Sequence, residues 1–261
     1  MSQEKWADLP QRFTSAVVML IIFAAALYLG LTGILLLGFV GVLAMQWELA
    51  RMFGVSGRRL LAVISVAVLG WLPMVVQPGI LFAGMTLPAV AGFLPIMIGA
   101  ALVKQQRGIY VGYGALLTLG MVGFWHLALN FGSFGIAILA AVVILSDIGG
   151  YIAGRMIGGA KFWPSISPKK TWSGTIAGWV LVAGLGFVLM QYSGTAWMVP
   201  VAVAVAFGAQ MGDIAESWVK RRVGVKDSSQ LIPGHGGFLD RFDGFIGGAA
   251  VLGIITALFL N

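Results

Sequence analysis

Residues 109–129, IYVGYGALLTLGMVGFWHLAL, and 133–154, SFGIAILAAVVILSDIGGYIAG, are apolar runs separated by Asn130-Phe131-Gly132, and Asp147 is the one charge in either. Each run matches the roughly 20 apolar residues that a helix needs to cross a hydrocarbon core. Working outward, comparable runs lie at about 13–29, 31–50, 60–76, 79–103, 173–192, 196–219 and 243–260. The expected fold is therefore an all-α, polytopic transmembrane bundle of about nine spans. An unbroken helix from Phe13 to Trp47 would extend about 50 Å, well beyond a ~30 Å core, so a turn is expected at Gly30 or Gly33. Pro88 and Pro95 should kink the fourth span or mark a partly re-entrant path.

Composition agrees with this reading. The 261 residues are 59% hydrophobic and 10% charged, with a mean hydropathy of +0.97, which excludes a water-soluble domain. The absence of cysteine excludes disulfides, thiolate metal sites and cysteine nucleophiles. A net charge of +7 would suit nucleic acid, but the basic residues adjoin apolar spans, so no nucleic-acid partner is expected and membrane lipids are. The polar stretch Met1 to Arg12 before an apolar run resembles a signal peptide. Because apolar spans continue to the C-terminus, it is read as an uncleaved first anchor.

With nine spans, the N-terminus and the loops near 51–59, 104–108, 155–172 and 220–242 share one side and contain every Lys and Arg. The opposite connections, near Gly30, Gln77, Asn130 and 191–195, carry no charge. By the positive-inside rule the charged side faces the cytoplasm. Compactness points to a bacterial plasma membrane.

The chain is read in two parts. Residues 1–130 form a transmembrane scaffold or subunit contact, as in a homodimer, with Glu48 as an i,i+3 ion-pair partner of Arg51 and His126 as a packed, hydrogen-bonded residue. Residues 131–261 form the catalytic region with its cytoplasmic loops. On a helix, Asp147, Tyr151, Gly154 and Gly158 share a face, placing an intramembrane acid beside a groove. A structural pair of Asp147 with Arg155 explains the same residues. Ser167-Pro168-Lys169-Lys170-Thr171-Trp172-Ser173-Gly174-Thr175 offers two lysines and hydroxyls at a helix N-terminus, a phosphate cradle or a basic topology signal.

Asp213, Glu216, Ser217 and Lys220 fall on one helical face with Arg221 and Arg222 at its end. Next comes the loop from Lys226 through Pro233-Gly234-His235-Gly236-Gly237, whose glycines let backbone N–H groups approach a ligand. It runs into Asp240-Arg241-Phe242-Asp243. Asp240 and Asp243 read either as helix caps or, together with Asp213, as hard oxygen ligands for Mg²⁺.

The segment 217–243, with Ser217-Trp218-Val219-Lys220-Arg221, Lys226-Asp227-Ser228 and Pro233-Gly234-His235-Gly236-Gly237-Phe238-Leu239-Asp240-Arg241-Phe242-Asp243, resembles the signature of phosphatidate cytidylyltransferases. Asp147-Ile148-Gly149-Gly150-Tyr151 and Ser167 to Trp172 are similar to that family too, so the resemblance covers 140–260; Gly244 stands where the family often has serine. The resemblance implies transfer of CMP from CTP to phosphatidate with release of pyrophosphate, assisted by Mg²⁺. It carries metal-ligand roles to Asp213, Asp240 and Asp243, with Lys226 and Asp147 as further catalytic residues. Substrate contacts are expected from Lys169, Lys170, Ser217, Lys220, Arg221, His235, Gly236, Gly237 and Arg241. A related CTP-dependent enzyme acting on a prenol or an archaeal ether lipid is the alternative. A transporter is the remote one, disfavoured because the charges gather near one interface and no repeat is evident.

Overall fold

The computed structural model describes residues 9–76 and 86–259, and its order is helical almost throughout. The helices are α1 (Leu9–Tyr28), α2 (Gly30–Met52), α3 (Gly57–Val76), α4 (Thr86–Leu102), α5 (Arg107–Met156), α6 (Trp172–Ser193), α7 (Met198–Val223) and α8 (Leu239–Phe259). An all-α membrane bundle is thus the architecture, with one small addition. The expected basic loop holds an antiparallel hairpin, β1 (Lys161–Trp163) and β2 (Ser167–Thr171), paired Lys161 to Thr171 and Trp163 to Ser167. Among the described residues, six helices are long and apolar enough to cross a membrane.

Gly30 makes the expected first turn, with φ of 67°. The two runs around Asn130, together labelled α5, are likewise divided where expected, by the non-helical backbone of Gly132 (φ 57°, ψ −146°). A residue with a Cβ resists that conformation, so glycine at this place converts one overlong rod into two lengths suited to a bilayer. Nine helical runs result among the described residues, and Pro95 lies inside α4. The start of the expected fourth span, near Gln77, lies outside the described residues.

In lipid, helices associate through close packing and interhelical hydrogen bonds because the tails are as apolar as the helices. The α7–α8 crossing shows how close: a Cβ built on Gly212 would stand 2.3 Å from the Asp243 carbonyl oxygen, and one on Gly247 2.3 Å from that of Gly208. Alanine at either place would force the helices apart. A polar relay ties three helices together inside the bundle. Trp179 Nε1 donates to Gln210 Oε1 (3.0 Å), and Gln210 Nε2 donates to Ser146 Oγ (3.1 Å). In the first half, the stacked Trp71 and Trp125 rings, 5.0 Å apart, join α3 to α5. The division expected at residue 130 falls within α5, which packs against both α2 and α8.

The charged connections collect at one end. Gln106 Nε2 donates to the Arg222 carbonyl (2.9 Å), Ser15 Oγ lies 2.6 Å from the Pro233 carbonyl oxygen, and Ser229 Oγ donates to Glu48 (2.5 Å). At the other end Ser133 Oγ donates to the Leu27 carbonyl (2.9 Å). This grouping predicts one sidedness for all the basic loops. Cysteines placed at Ser56 and Ser165 of this cysteine-free chain are expected to resist a membrane-impermeant thiol reagent in intact cells and to react after lysis. Labelling of either in intact cells would contradict the topology.

Candidate active site at the charged end of the bundle

β2 decides which lysine enters the site. Successive residues of a strand point to opposite faces, so Lys169 is exposed while Lys170 turns inward, its Nζ 2.5 Å from Asp213 Oδ2 on α7. The two lysines expected to serve phosphate together thus stand on opposite faces of β2. Thr171 ends the strand and caps α6, accepting from the Gly174 N–H at 3.2 Å. The free helix N-terminus expected there is thus partly satisfied. Thr171 Oγ1 also lies 3.0 Å from Ser173 Oγ, and Ser173 Oγ donates to the Gly158 carbonyl (2.5 Å). Gly150 and Gly154 form the face of α5 that takes α6, with Gly174 against Gly150.

Asp147 lies on that side of α5, exposed, within electrostatic reach of Lys170 and Asp213. No ion pair joins Asp147 to Arg155, which donates to the Tyr151 hydroxyl (2.9 Å) instead. Gly158 is not on the helical face assigned to it, since α5 ends at Met156. Ser217 Oγ donates to Asp213 Oδ1 (3.3 Å), and the Asp243 carboxylate, which accepts from the Gly244 N–H (2.7 Å), feels the charges of Asp213, Lys220 and Lys170. Asp147, Lys170, Asp213, Ser217 and Asp243 therefore make one group, contributed by α5, β2, α7 and α8.

A second group stands beside it. Lys220 Nζ reaches Glu216 Oε2 at 2.6 Å and Asp240 Oδ1 at 2.5 Å, with Glu216 only 1% exposed and Asp240 4%. Asp240 Oδ2 accepts from Ser228 N (2.9 Å), Ser228 Oγ (2.9 Å) and Gly237 N (2.7 Å). The last bond has the three-residue spacing of the backward-reaching half of a capping box, with Asp240, the second residue of α8, accepting the N–H of Gly237 just before the helix. Breaking a buried pair by removing one partner costs about 3–5 kcal/mol, so these bonds hold the loop firmly to both helices.

Asp213, Asp240 and Asp243, read together as metal ligands, differ in their protein contacts: Asp240 is bound by Lys220 and the loop, Asp213 by Lys170 and Ser217. Among the described residues no three His, Asp or Glu side chains stand close enough together to hold a metal. The reason is that Asp240 is committed to Lys220 and to the loop. Asp213 and Asp243 remain, neighbouring hard-oxygen donors at a place where α7 and α8 touch. Mg²⁺ is commonly held by one or two carboxylates with water and phosphate oxygens completing its shell, so this donor set fits that ion.

Two expected substrate contacts are also used internally. The Gly237 N–H is spent on Asp240, and Lys220 on its two acids. Lys226, Arg221 and Arg241 are exposed, and Arg241 Nε donates to the His235 carbonyl (3.0 Å). The Ile232 N–H donates to the Gly236 carbonyl (2.8 Å), closing the loop tip. Burial, with the nearby charges of Arg241 and Arg12, lowers the His235 pKa, which keeps its ring neutral at pH 7.

Sequence reading missed Glu48. No pair with Arg51 forms, because Arg51 lies over the Trp47 ring, 4.7 Å from its centre, while Glu48 is fully buried against the loop of 228–239. The one available signal was an acid within an apolar span.

Fold and site together define a helical integral membrane protein with a mixed acidic and basic cluster at one end, suited to holding phosphate groups. The chain belongs to the cytidylyltransferase family, whose sequence profile matches residues 10–259. It is 38% identical over 202 residues to a phosphatidate cytidylyltransferase of Brucella suis, covering 73% of each chain. Proteins of the same name from Staphylococcus haemolyticus (29% over 244 residues, 90% of this chain and 94% of that one) and Helicobacter pylori (35% over 184 residues, 66% of each) are similar as well.

The strand geometry separates two adjacent lysines in a measurable way. Replacing Lys170 with Gln is expected to lower kcat/KM for CTP by about 10²-fold, the scale for loss of a charge-assisted phosphate contact, and Lys169→Gln by less than about threefold. Equal losses in the two variants would contradict the inward placement of Lys170 alone.

Proposed function

We propose that this protein transfers CMP from CTP to phosphatidate, giving CDP-diacylglycerol and pyrophosphate, at the cytoplasmic face of a bacterial plasma membrane. The observation that carries the reading is its family membership together with relatives named phosphatidate cytidylyltransferase that align over most of the chain. A phosphatidate oxygen attacks the α-phosphorus of CTP, and the bond from that phosphorus to the bridging oxygen of the β-phosphate breaks. Pyrophosphate leaves with the bonding electrons. The attacking phosphate is already ionised, so the protein's task is alignment and charge neutralisation more than proton removal.

The residues divide this work. Asp213 and Asp243 would hold Mg²⁺, which when bound polarises a phosphoryl oxygen and offsets the charge of the leaving group. Lys170, at the mouth beside Asp213, neutralises phosphate, and Ser217 orients Asp213. Asp147 on α5, within electrostatic reach of Lys170 and Asp213, adds an acidic group beside them. Arg221, Lys226, Arg241 and the outer Lys169 supply the wider positive field that draws in a triphosphate and a lipid headgroup. Neutral His235 and the Gly236 backbone offer uncharged hydrogen bonds. Lys220 and Asp240 act one step away, by holding the loop that carries His235 and leads into Arg241 on α8.

The direct assay supplies labelled CTP to purified protein with phosphatidate, dolichol or an archaeal ether lipid, each with and without Mg²⁺. Label is expected only in a product from phosphatidate and only with the divalent ion present. Labelling of either other lipid in its place would overturn the substrate assignment, and full turnover in chelator would overturn the metal.

A further inference from the structure

Glu48 lies on α2, in the half of the chain that carries none of the residues assigned to the reaction, and its side chain is fully buried. A carboxylate withdrawn from water persists only where other groups replace its hydration. Here four donors do so. Ser229 Oγ (2.5 Å) and Phe238 N (2.8 Å) donate to Oε1, while Ser228 Oγ (3.3 Å) and Leu239 N (2.6 Å) lie at Oε2. They come from both ends of the segment 228–239, so one side chain from a distant helix closes the base of the loop. It also meets two N–H groups at the start of α8, where the helix dipole favours a negative charge.

Ser228 shows that this closure is shared. Its single hydroxyl proton stands between Glu48 Oε2 and Asp240 Oδ2, so the two carboxylates hold the loop base from opposite sides. The first half braces the loop tip as well. Ser15 Oγ is 2.6 Å from the Pro233 carbonyl oxygen, and a Cβ on Gly234 would meet the Arg12 side chain at 3.0 Å. The loop between these supports carries His235 and Gly236 and leads into Arg241.

We propose that Glu48 is a positioning residue for nucleotide binding: by stapling the base of the 228–239 loop it fixes His235, Gly236 and Arg241 relative to Lys170 and Asp213. This rests on the reading of that loop as a CTP contact. Gln in its place keeps the shape but turns an NH₂ toward donors, removing acceptors for two of the four bonds. Its effect should fall on CTP and spare the lipid.

The test measures steady-state kinetics of the full-length protein in lipid nanodiscs for wild type, Glu48→Gln and the double variant Ser228→Ala/Ser229→Ala. Glu48→Gln is expected to raise the KM for CTP about tenfold or more while the KM for phosphatidate stays within about twofold. The double variant, which removes two donors from the loop side and leaves α2 intact, is expected to raise the CTP KM in the same sense. A fall in kcat with both KM values unmoved marks loss of folded enzyme alone and overturns the proposal. Should Glu48→Gln fail to insert, the double variant decides by the same criterion. Absence of CTP-dependent lipid product in wild type would refute the functional reading itself, which separates the two failures.

Discussion

The contact between Lys220 and Asp240 joins the end of α7 to the start of α8, and the charged end of the molecule is organised around it. Neither group is well exposed, at 14% and 4%, so each depends on the other for the solvation that water would otherwise give. Glu216 Oε2 reaches the same lysine from one turn earlier on α7. The pair can exist only because glycines at 208, 212 and 247 bring the two helices into backbone contact below it. Small residues in the membrane thus set the spacing of charges at its edge.

That arrangement separates two kinds of acid that look alike in sequence. Asp240 is saturated by Lys220 and by donors from Ser228 and Gly237, and it holds protein to protein. Asp213 and Asp243 have fewer internal commitments and stand next to Lys170, which arrives on a strand from another part of the chain. A site for polyphosphate needs positive charge to face the substrate and negative charge to hold a cation, without collapse of one onto the other. In this structure Lys170 and Asp213 pair at 2.5 Å, but they ride on separate supports, β2 for the lysine and α7 for the acid, so a bound cation and phosphate can part them.

The long apolar runs and the one-sided basic residues made the helical membrane fold legible, since span length and charge bias are local properties of the chain. The charged helix ends were legible through Asp213 with Lys220 and Asp240 with Asp243, whose spacing within each helix follows from the 3.6-residue repeat. What could not be read depends on contacts between distant residues. Glu48 meets Leu239 across 191 positions, and no local pattern signals such a partner. Lys169 and Lys170 looked equivalent in a loop; only the hairpin gives them opposite faces. By contrast, Gly132 was placed in a connection, and its non-helical backbone does break the chain there into two helices.

The central claim is the division of labour between the carboxylates, and the Mg²⁺ dependence of turnover tests it most directly. Titrating Mg²⁺ at saturating CTP and phosphatidate, Asp213→Asn and Asp243→Asn are expected to lose most activity and to need at least about tenfold more Mg²⁺ for what remains, because each loses a ligand charge. Asp240→Asn is expected to keep the wild-type Mg²⁺ midpoint while its KM for CTP rises, because it loosens the loop and leaves the ion's ligands in place. An Asp240→Asn midpoint shifted as far as that of Asp213→Asn would contradict the account and return Asp240 to the metal.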